Sequence, residues 1–442
     1  MKVIIIGGVA AGMSVAAKLR RLDESAEIVV YEKGNDLSYG ACGMPYYIGG
    51  IIEEVSKLVA RTKEEFEKSG INVQTMHEVI KLNATNKTIK VLDLKTSNTF
   101  ETFYDILVIA TGTKAITSNV VGFDEVKPFV LSQLEDAIKI KSSLDKVQDV
   151  AIIGGGYIGL EIAENLAHLN KKVHVIELQS QILPNYDDIF AKKAEEALKE
   201  MKIEFSLEER LIKYQKDLNK TVVITDKSTY SVDMVIEAIG VKPNTEFLRD
   251  SGIEMLKNGA IITNEFQETS LKDIYAAGDC SAYKHRLTNK HEFVPLGTHA
   301  NKTGKVIAEN IAGYKTSFPG IIGSNIIKIN NLALAKTGLG YKEAKRLNLN
   351  YAYEDVIAKN QSGYYPGAKQ ILIRIVYDPK TGVLKGGQMI GEKGVSDRIN
   401  ILALAISKEM TAKEFSMLDF AYAPPFSPVW DPLLIAINQI KI

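Results

Sequence analysis

The residue best equipped to do chemistry in this sequence is Cys42, set in Ser38-Tyr39-Gly40-Ala41-Cys42-Gly43-Met44-Pro45-Tyr46. Gly40, Gly43 and Pro45 punctuate the chain and put the thiol near a helix start, where the helix dipole favours the thiolate. Each unit by which a thiol pKa falls is worth about 1.4 kcal/mol. Residues 43–47 contain no second cysteine, so no Cys-x-x-Cys or Cys-x4-Cys pair is present. Disulfide chemistry at Cys42 must therefore join its sulfur to a substrate sulfur or pass through a sulfenic acid. The plainer alternative is a buried small hydrophobe, the common fate of a lone cysteine. The other thiol, Cys280, follows Gly278-Asp279 and reads as structural. The 6 histidines show no metal-ligand spacing, and no metal site is expected.

Two glycine turns suggest nucleotides. A pyrophosphate can rest on a helix N-terminus only if the preceding chain turns tightly and leaves no side chain in the way. Gly154, Gly156 and Gly159 meet that spacing in full. Glu177, about 20 residues on, can bind both ribose hydroxyls and repel a 2′-phosphate, which favours NADH over NADPH. The earlier turn has Gly7, Gly8 and Gly12 but Val9 in place of the middle glycine, and Glu32 at the next strand end restores the match. A third segment, Ile274-Tyr275-Ala276-Ala277-Gly278-Asp279, puts a carboxylate after a buried strand and a glycine, well placed to bond a ribityl hydroxyl of a flavin.

The elements that must position these residues form a repeat. Val3 to Ile6, the first glycine turn, an apolar-periodic stretch to Leu22 and Ile28 to Glu32 read as one βαβ unit. The order recurs with Val150 to Ile153, the second turn, a helix to Leu169 and Val173 to Glu177. Each copy closes similarly, with Asp105 seven residues before Gly112 and Asp233 seven before Gly240 across a buried-strand pattern. Thr88 to Leu94 and Thr99 to Phe103 alternate like antiparallel ribbons. After Gly320 the character changes. Ile326 to Ile329 and Ile371 to Tyr377 read as strands, Ser396 to Lys408 reads as an amphipathic helix, and no such glycine turn returns. The expected fold is α/β, two Rossmann-like dinucleotide-binding domains followed by a C-terminal α+β domain.

Composition narrows the function. Lys+Arg and Asp+Glu are 54 each in 442 residues, so no basic footprint for nucleic acid exists. Two cysteines suit a reducing compartment. The apolar run from Val3 to Ala17 is shorter than a bilayer span and leads into Lys18, Arg20 and Arg21. A soluble, uncleaved, cytoplasmic protein is expected.

Taken together, "IIIGGVAAGMSVAAKLRRLD", "SYGACGMPYYIGG", "ILVIATG", "IIGGGYIGLE", "IYAAGDC", "SGYYPGAKQ" and "YAPPFSPVWDPL" cover nearly the whole chain. In this order they resemble the single-cysteine branch of the FAD- and pyridine-nucleotide-dependent disulfide reductases, closest to coenzyme A disulfide reductases and NADH oxidases. The resemblance implies an FAD domain from residues 1–113 and 246–320, an NAD domain from 114–245 and a dimerisation domain from 321–442. It assigns Gly7, Gly8, Ala10, Gly12, Glu32 and Lys33 to the ADP part of FAD, Thr111 and Gly112 to its path, and Gly278 and Asp279 to its ribityl chain. Ala300, Asn301 and Lys302 would lie by the flavin ring. Gly154, Gly156, Ile158, Gly159, Glu177 and Gly240 would bind the nicotinamide nucleotide, with Tyr157 covering its pocket and Glu161 pointing toward the flavin. Cys42 would be the redox nucleophile. Tyr364 and Tyr422 would reach it from the partner subunit of a homodimer, or else be a turn residue and a core aromatic.

The implied substrate is coenzyme A disulfide. Ser14, Lys18, Arg21 and Ser38 match coenzyme A contacts of the family. Gly70 and Trp430 stand where a known type has basic residues, a loss that Arg61 would offset. Ala10 stands where peroxidase and some oxidase members carry histidine, which favours thiol–disulfide chemistry over peroxide chemistry. Rival readings are an NADH oxidase cycling Cys42 through a sulfenic acid, a persulfide or polysulfide reductase, and a non-enzymatic flavoprotein whose redox state regulates a partner. The absence of a rhodanese-like C-terminal extension weighs against the polysulfide reading.

Overall fold

The structure is a computed structural model that describes residues 1–441. The chain divides into two compact units: Met1–Thr117, Val130–Ser143 and Gly240–Ile321 form one, and Ser118–Phe129, Leu144–Ile239 and everything from Ile322 onward form the other. Both βαβ repeats are present. In the first unit β1 (Lys2–Ile6), α1 (Ala10–Leu22) and β2 (Glu27–Glu32) follow one another. In the second, β3 (Asp149–Ile153), α2 (Tyr157–His168) and β4 (Lys172–Ile176) do the same.

The first unit is built on a five-stranded parallel sheet, in the order Ile274–Ala276, Ile106–Ile109, β1, β2, Ile71–Thr75. Val3, Ile4 and Ile5 are wholly buried because both faces are covered, as the unbroken β-branched run requires of a parallel strand. Burying each such side chain contributes roughly 1.5–3 kcal/mol. On one face α1 packs against the helix Gly297–Ile311 so closely that a Cβ on Gly304 would crowd the Ala11 carbonyl and Ser14. The ribbons read from alternation form an antiparallel sheet of His77–Asn83, Thr88–Asp93 and Thr99–Phe103.

In the second unit Glu204–Ser206, β4, β3 and Met234–Glu237 lie side by side in that order. Its C-terminal part is an antiparallel sheet ordered Asn325–Ile329, Leu332–Gly338, Leu384–Gly391, Gln370–Tyr377, Ala352–Lys359, with the helix Val395–Ser407 packed on it. Two of these strands and the helix match the sequence reading within a residue. Leu384–Gly391 escaped it because Gly386, Gly387 and Gly391 lower strand propensity. These glycines have a use: a side chain at Gly386 would overlap the Leu339 carbonyl. The C-terminal sheet shares its compact unit with the second repeat, and buried polar ties join them. Glu164 on α2 binds Lys328 and the Asn330 amide, and Asp187 accepts from Arg374 at 3.0 Å.

The two repeats share the same close approaches at their turns. Gly7 and Gly154 have φ of 104° and 109°, a region that favours glycine. A Cβ on Gly12 would overlap the Gly7 carbonyl oxygen, and one on Gly159 would overlap the Gly154 carbonyl oxygen. Each helix therefore rests directly on the turn that begins it. Gly12→Ala and Gly159→Ala should each cost about 1–3 kcal/mol, the usual penalty for overpacking against backbone. Gly297→Ala, where nothing lies within 4 Å, should be close to neutral. Urea unfolding of the three variants checks this.

Candidate active site

At both strand ends the acidic residue is held in the same way. Glu32 accepts from the Gly8 amide at 2.6 Å and the Gly34 amide at 2.7 Å. Glu177 accepts from the Gly155 amide at 2.6 Å and the Gln179 amide at 2.7 Å. Each carboxylate is thus aimed by its glycine turn, and two amides occupy about half of its roughly four lone-pair sites. The rest can take a ribose diol. Burial pushes the Glu32 carboxyl up, the backbone N–H bonds opposing it. The closing aspartates also correspond: Asp105 accepts from the Lys2 amide at 2.6 Å, and Asp233 accepts from the Gln148 and Asp149 amides at 2.8 Å.

Asp279 lies beyond the end of the strand Ile274–Ala276. Burial alone pushes its carboxyl up to about 6, with no hydrogen bond or charge offsetting the cost. A desolvated carboxylate of this kind suits a ligand hydroxyl donor. Gly278, at φ 80°, is buried near Ala11 and Ala300, so Asp279 shares its neighbourhood with the first turns of α1 and of helix Gly297–Ile311. Ser14 donates to Asn301 at 3.0 Å, and Lys18 pairs with Glu309 at 3.3 Å. Gly112, at φ 62°, has no atom within 4 Å of where a Cβ would stand. Lys33 is exposed and pairs with Glu78. These features fit the adenosine and ribityl ends of a flavin dinucleotide.

The two thiols sit in opposite environments. Cys280 is buried, its Sγ 3.3 Å from the Ala277 carbonyl oxygen, and burial pushes its thiol up. Cys42 is exposed, in the turn Ala41–Gly43 that runs into the helix Met44–Ile48. That helix is 5 residues long, so its dipole gives the thiolate less than the sequence reading assumed. The Cys42 loop is instead fixed by backbone bonds. The Ser38 amide donates to the Gly8 carbonyl at 2.9 Å, and Gly40 donates to the Leu58 carbonyl at 2.8 Å. Gly43 leaves room for the Leu58 side chain. Arg61 turns back onto its own segment, donating to the Glu65 carbonyl and Ser69 with its guanidinium 4.2 Å above Phe66. Arg21 is exposed. The sequence reading missed Lys141, whose ammonium sits 3.8 Å above Tyr47 and donates to the Glu53 carbonyl, pinning the helix after Cys42. No local pattern signals a cation–π pair so distant along the chain.

In the second unit Tyr157 opens α2, and its hydroxyl donates to Asn325 at 2.8 Å. Tyr186 donates to the same oxygen at 2.7 Å. Burial pushes the Tyr157 phenol up to about 12. One turn on, the Glu161 carboxyl is pushed up to about 7, chiefly by burial and then by Glu164. Gly156 faces open space, Ile158 is half-buried beside it and Gly240 is exposed. Tyr364 and Tyr422, 58 residues apart, meet with their hydroxyls 3.2 Å apart, and both rings are exposed. Neither is a core aromatic.

Residues 1–303 match the family model for pyridine nucleotide-disulphide oxidoreductases, and residues 325–432 match that family's dimerisation domain. The chain belongs to this family. It is therefore an oxidoreductase of the class that uses FAD and NAD(P)H, built on the mixed α/β fold expected from the repeat. It is 36% identical over 443 residues to a CoA-dependent NAD(P)H sulfur oxidoreductase of Pyrococcus abyssi, covering 99% of this chain and 98% of that one. It is 32% identical over 430 residues to a coenzyme A disulfide reductase of Staphylococcus aureus, covering 96% of each. Among solved structures, the reduced CoADR-RHD protein of Bacillus anthracis superposes with a TM-score of 0.96 at 34% identity, covering 99% of this chain and 80% of that chain. No helix among the described residues is long and apolar enough to cross a membrane.

The Glu161 shift has a consequence for stability. A carboxyl raised from 4.5 to about 7 in the folded state favours the protonated form there. Its contribution is complete below about pH 4.5 and is lost as pH rises through 7. Glu161→Gln removes this dependence. The variant should gain on the wild type by on the order of a few kcal/mol at pH 8, with the gap narrowing toward pH 5. Urea unfolding at the two pH values, without added nucleotide, measures it.

Proposed function

We propose that this enzyme is an NADH-dependent reductase of coenzyme A disulfide, or of a related low-molecular-weight disulfide, acting through Cys42. The observation that carries the reading is the contrast of thiols: Cys42 is exposed on a loop bonded to the first glycine turn, and Cys280 is buried. With no second accessible thiol among the described residues, the sulfur that pairs with Cys42 belongs to the substrate. The assignment to coenzyme A leans on the name of the Staphylococcus relative and on Ser14, Lys18, Arg21 and Ser38, while Arg61 would have to leave its Glu65 and Ser69 partners to join them. Residues 1–113 and 246–320 form the FAD domain, 114–245 the NAD domain and 321–442 the dimerisation domain. A homodimer is supported by the dimerisation match and by Met417, Phe426, Val429 and Trp430, large apolar side chains exposed near Tyr422 in sequence.

The Cys42 thiolate attacks one sulfur of the substrate disulfide, forming a mixed disulfide and releasing one thiolate. Two electrons from NADH then cleave the mixed disulfide, restoring Cys42 and releasing the second thiol. When bound, the flavin supplies hydride acceptance from the nicotinamide and two-electron delivery to sulfur. Gly7, Gly8, Ala10, Gly12, Glu32 and Lys33 would hold its adenosine end, Thr111 and Gly112 would line its path, and Gly278, Asp279 and Ala300 would hold the remainder. Gly154, Gly156, Ile158, Gly159, Glu177 and Gly240 would hold NADH, and Tyr157 and Glu161, one turn apart, would border its nicotinamide. Tyr364 and Tyr422 provide a hydroxyl that protonates the departing thiolate. The Pyrococcus relative's name makes sulfur the second candidate acceptor at the same cysteine.

Cys42→Ser should abolish coenzyme A disulfide turnover while leaving flavin reduction by NADH at the wild-type rate, because hydride transfer needs no thiol. Stopped-flow and steady-state assays with coenzyme A disulfide, polysulfide and oxygen as acceptors test this. Full disulfide turnover by the variant would dismiss Cys42 as nucleophile, and oxygen-driven turnover without disulfide would favour the oxidase. Glu177→Ser should shrink the NADH-over-NADPH ratio of kcat/KM by about tenfold or more, since like charges brought together in a site cost several kcal/mol. An unchanged ratio would assign the preference to other residues.

A further inference from the structure

Tyr364 and Tyr422 are 77% and 46% exposed, yet their hydroxyls meet at 3.2 Å. Two exposed phenols on separate loops do not hold that geometry by themselves, because each ordered side chain costs rotamer entropy. What orders them lies underneath. The Tyr364 loop is closed at its base by Asn360 and Lys369, the Asn360 amide donating to the Lys369 carbonyl at 2.9 Å and the Lys369 amide donating to the Asn360 side-chain oxygen at 2.8 Å. The Tyr422 segment runs through Pro424, Ser427 and Asp431 into the helix Pro432–Ile437. Ser362 stitches the two, its amide donating to the Pro424 carbonyl at 3.2 Å and its hydroxyl to the Ser427 carbonyl at 3.5 Å.

Arg398, on helix Val395–Ser407, spans both from below. It is 5% exposed. Its Nη2 donates to the Asn360 carbonyl at 3.0 Å and to Asp431 at 2.7 Å, and its Nε donates to both Asp431 oxygens at 3.0 and 3.1 Å. Nη1 donates to the Gly394 carbonyl at 3.0 Å. Gly394, at φ 78°, leaves the space the guanidinium fills, since a Cβ there would overlap Nη1. Asp431 also accepts from Ser427 at 3.0 Å and caps the following helix through the Leu433 amide at 2.8 Å. A buried ion pair is a poor source of stability, because desolvation offsets the Coulomb gain. A planar fork with fixed donor directions is a good source of geometry.

We propose that Arg398, braced by Asp431, is the positioning residue that sets the Tyr364–Tyr422 hydroxyl pair, and through it the protonation of the departing thiolate. The inference rests on the tyrosine role proposed above. Lysine at 398 keeps the charge but offers three donors from one point in place of a planar fork, too few for the Asn360 and Gly394 carbonyls and both Asp431 oxygens together.

The test compares Arg398→Lys, Tyr422→Phe, Tyr364→Phe and the Arg398→Lys/Tyr422→Phe double variant as full-length flavoproteins. Arg398→Lys should keep bound flavin, wild-type sedimentation and the wild-type rate of flavin reduction by NADH. Its kcat for coenzyme A disulfide should fall about 10- to 100-fold, the size expected from misplacing a reacting group by about an ångström. The hydrogen bond from Tyr422 holds the Tyr364 phenol below the usual tyrosine range. The early step this produces in an ultraviolet tyrosinate titration, identified by its loss in Tyr364→Phe, should also be lost in Arg398→Lys. The double variant should be no slower than Tyr422→Phe alone, since both changes remove one function. Wild-type kcat with the early step intact, or effects that multiply in the double variant, would overturn the proposal. Should Arg398→Lys fail to fold, the Arg398→Met/Asp431→Leu pair, which replaces both charges by apolar groups, carries the same readouts. Full disulfide turnover by Tyr422→Phe together with Tyr364→Phe would remove the tyrosines from the mechanism, while the titration would still decide whether Arg398 sets the pair.

Discussion

Each nucleotide turn depends on a helix settling directly on a backbone carbonyl. At Gly12 and Gly159 no side chain separates the helix from the Gly7 or Gly154 carbonyl, so the helix N-terminus lands at the end of the parallel strand. The next amide along each turn, Gly8 or Gly155, is then free of the ladder and binds the carboxylate at the end of the neighbouring strand. One close approach therefore sets both the helix position and the direction of the acid at the neighbouring strand end. The same rule is applied twice in one chain.

The first turn carries more than its nucleotide. Its Gly8 carbonyl accepts from Ser38, four residues before Cys42, so the Cys42 loop is registered against the backbone of the glycine turn. The helix dipole contributes little there, because the helix after Cys42 is about one turn long. Glycine packing against Leu58 and the cation–π contact of Lys141 with Tyr47 hold it instead. Position is secured by backbone and apolar contact, and the polar groups near the cofactor site are left to meet ligands. Asp279 shows the cost of that arrangement in a carboxyl raised to about 6 by burial alone.

The second unit uses charge pairs differently, each with at least one buried member. Glu164 with Lys328, Arg374 with Asp187 and Asp355, and Arg398 with Asp431 are ties between segments distant in the chain. Each fixes a direction that apolar packing would leave loose. The Arg398 fork lies under the tyrosine loops, where two exposed hydroxyls need a defined separation.

Much of this was legible in the residues themselves. The glycine spacing, the paired acids at Glu32 and Glu177 and the closing aspartates are local patterns, and local patterns follow from which backbone conformations and close approaches each residue type permits. The fold class and the family followed from them. The glycine-rich strand Leu384–Gly391 was not legible, because propensity reads glycine as a turn whereas here it admits a neighbouring carbonyl. Nor were the 3.2 Å hydroxyl contact of Tyr364 with Tyr422, the stacking of Lys141 on Tyr47, or the clasp of Arg398. Those depend on which distant segments share a space, and in a folded chain that is decided by the packing of whole elements, of which no single stretch of sequence holds more than one side.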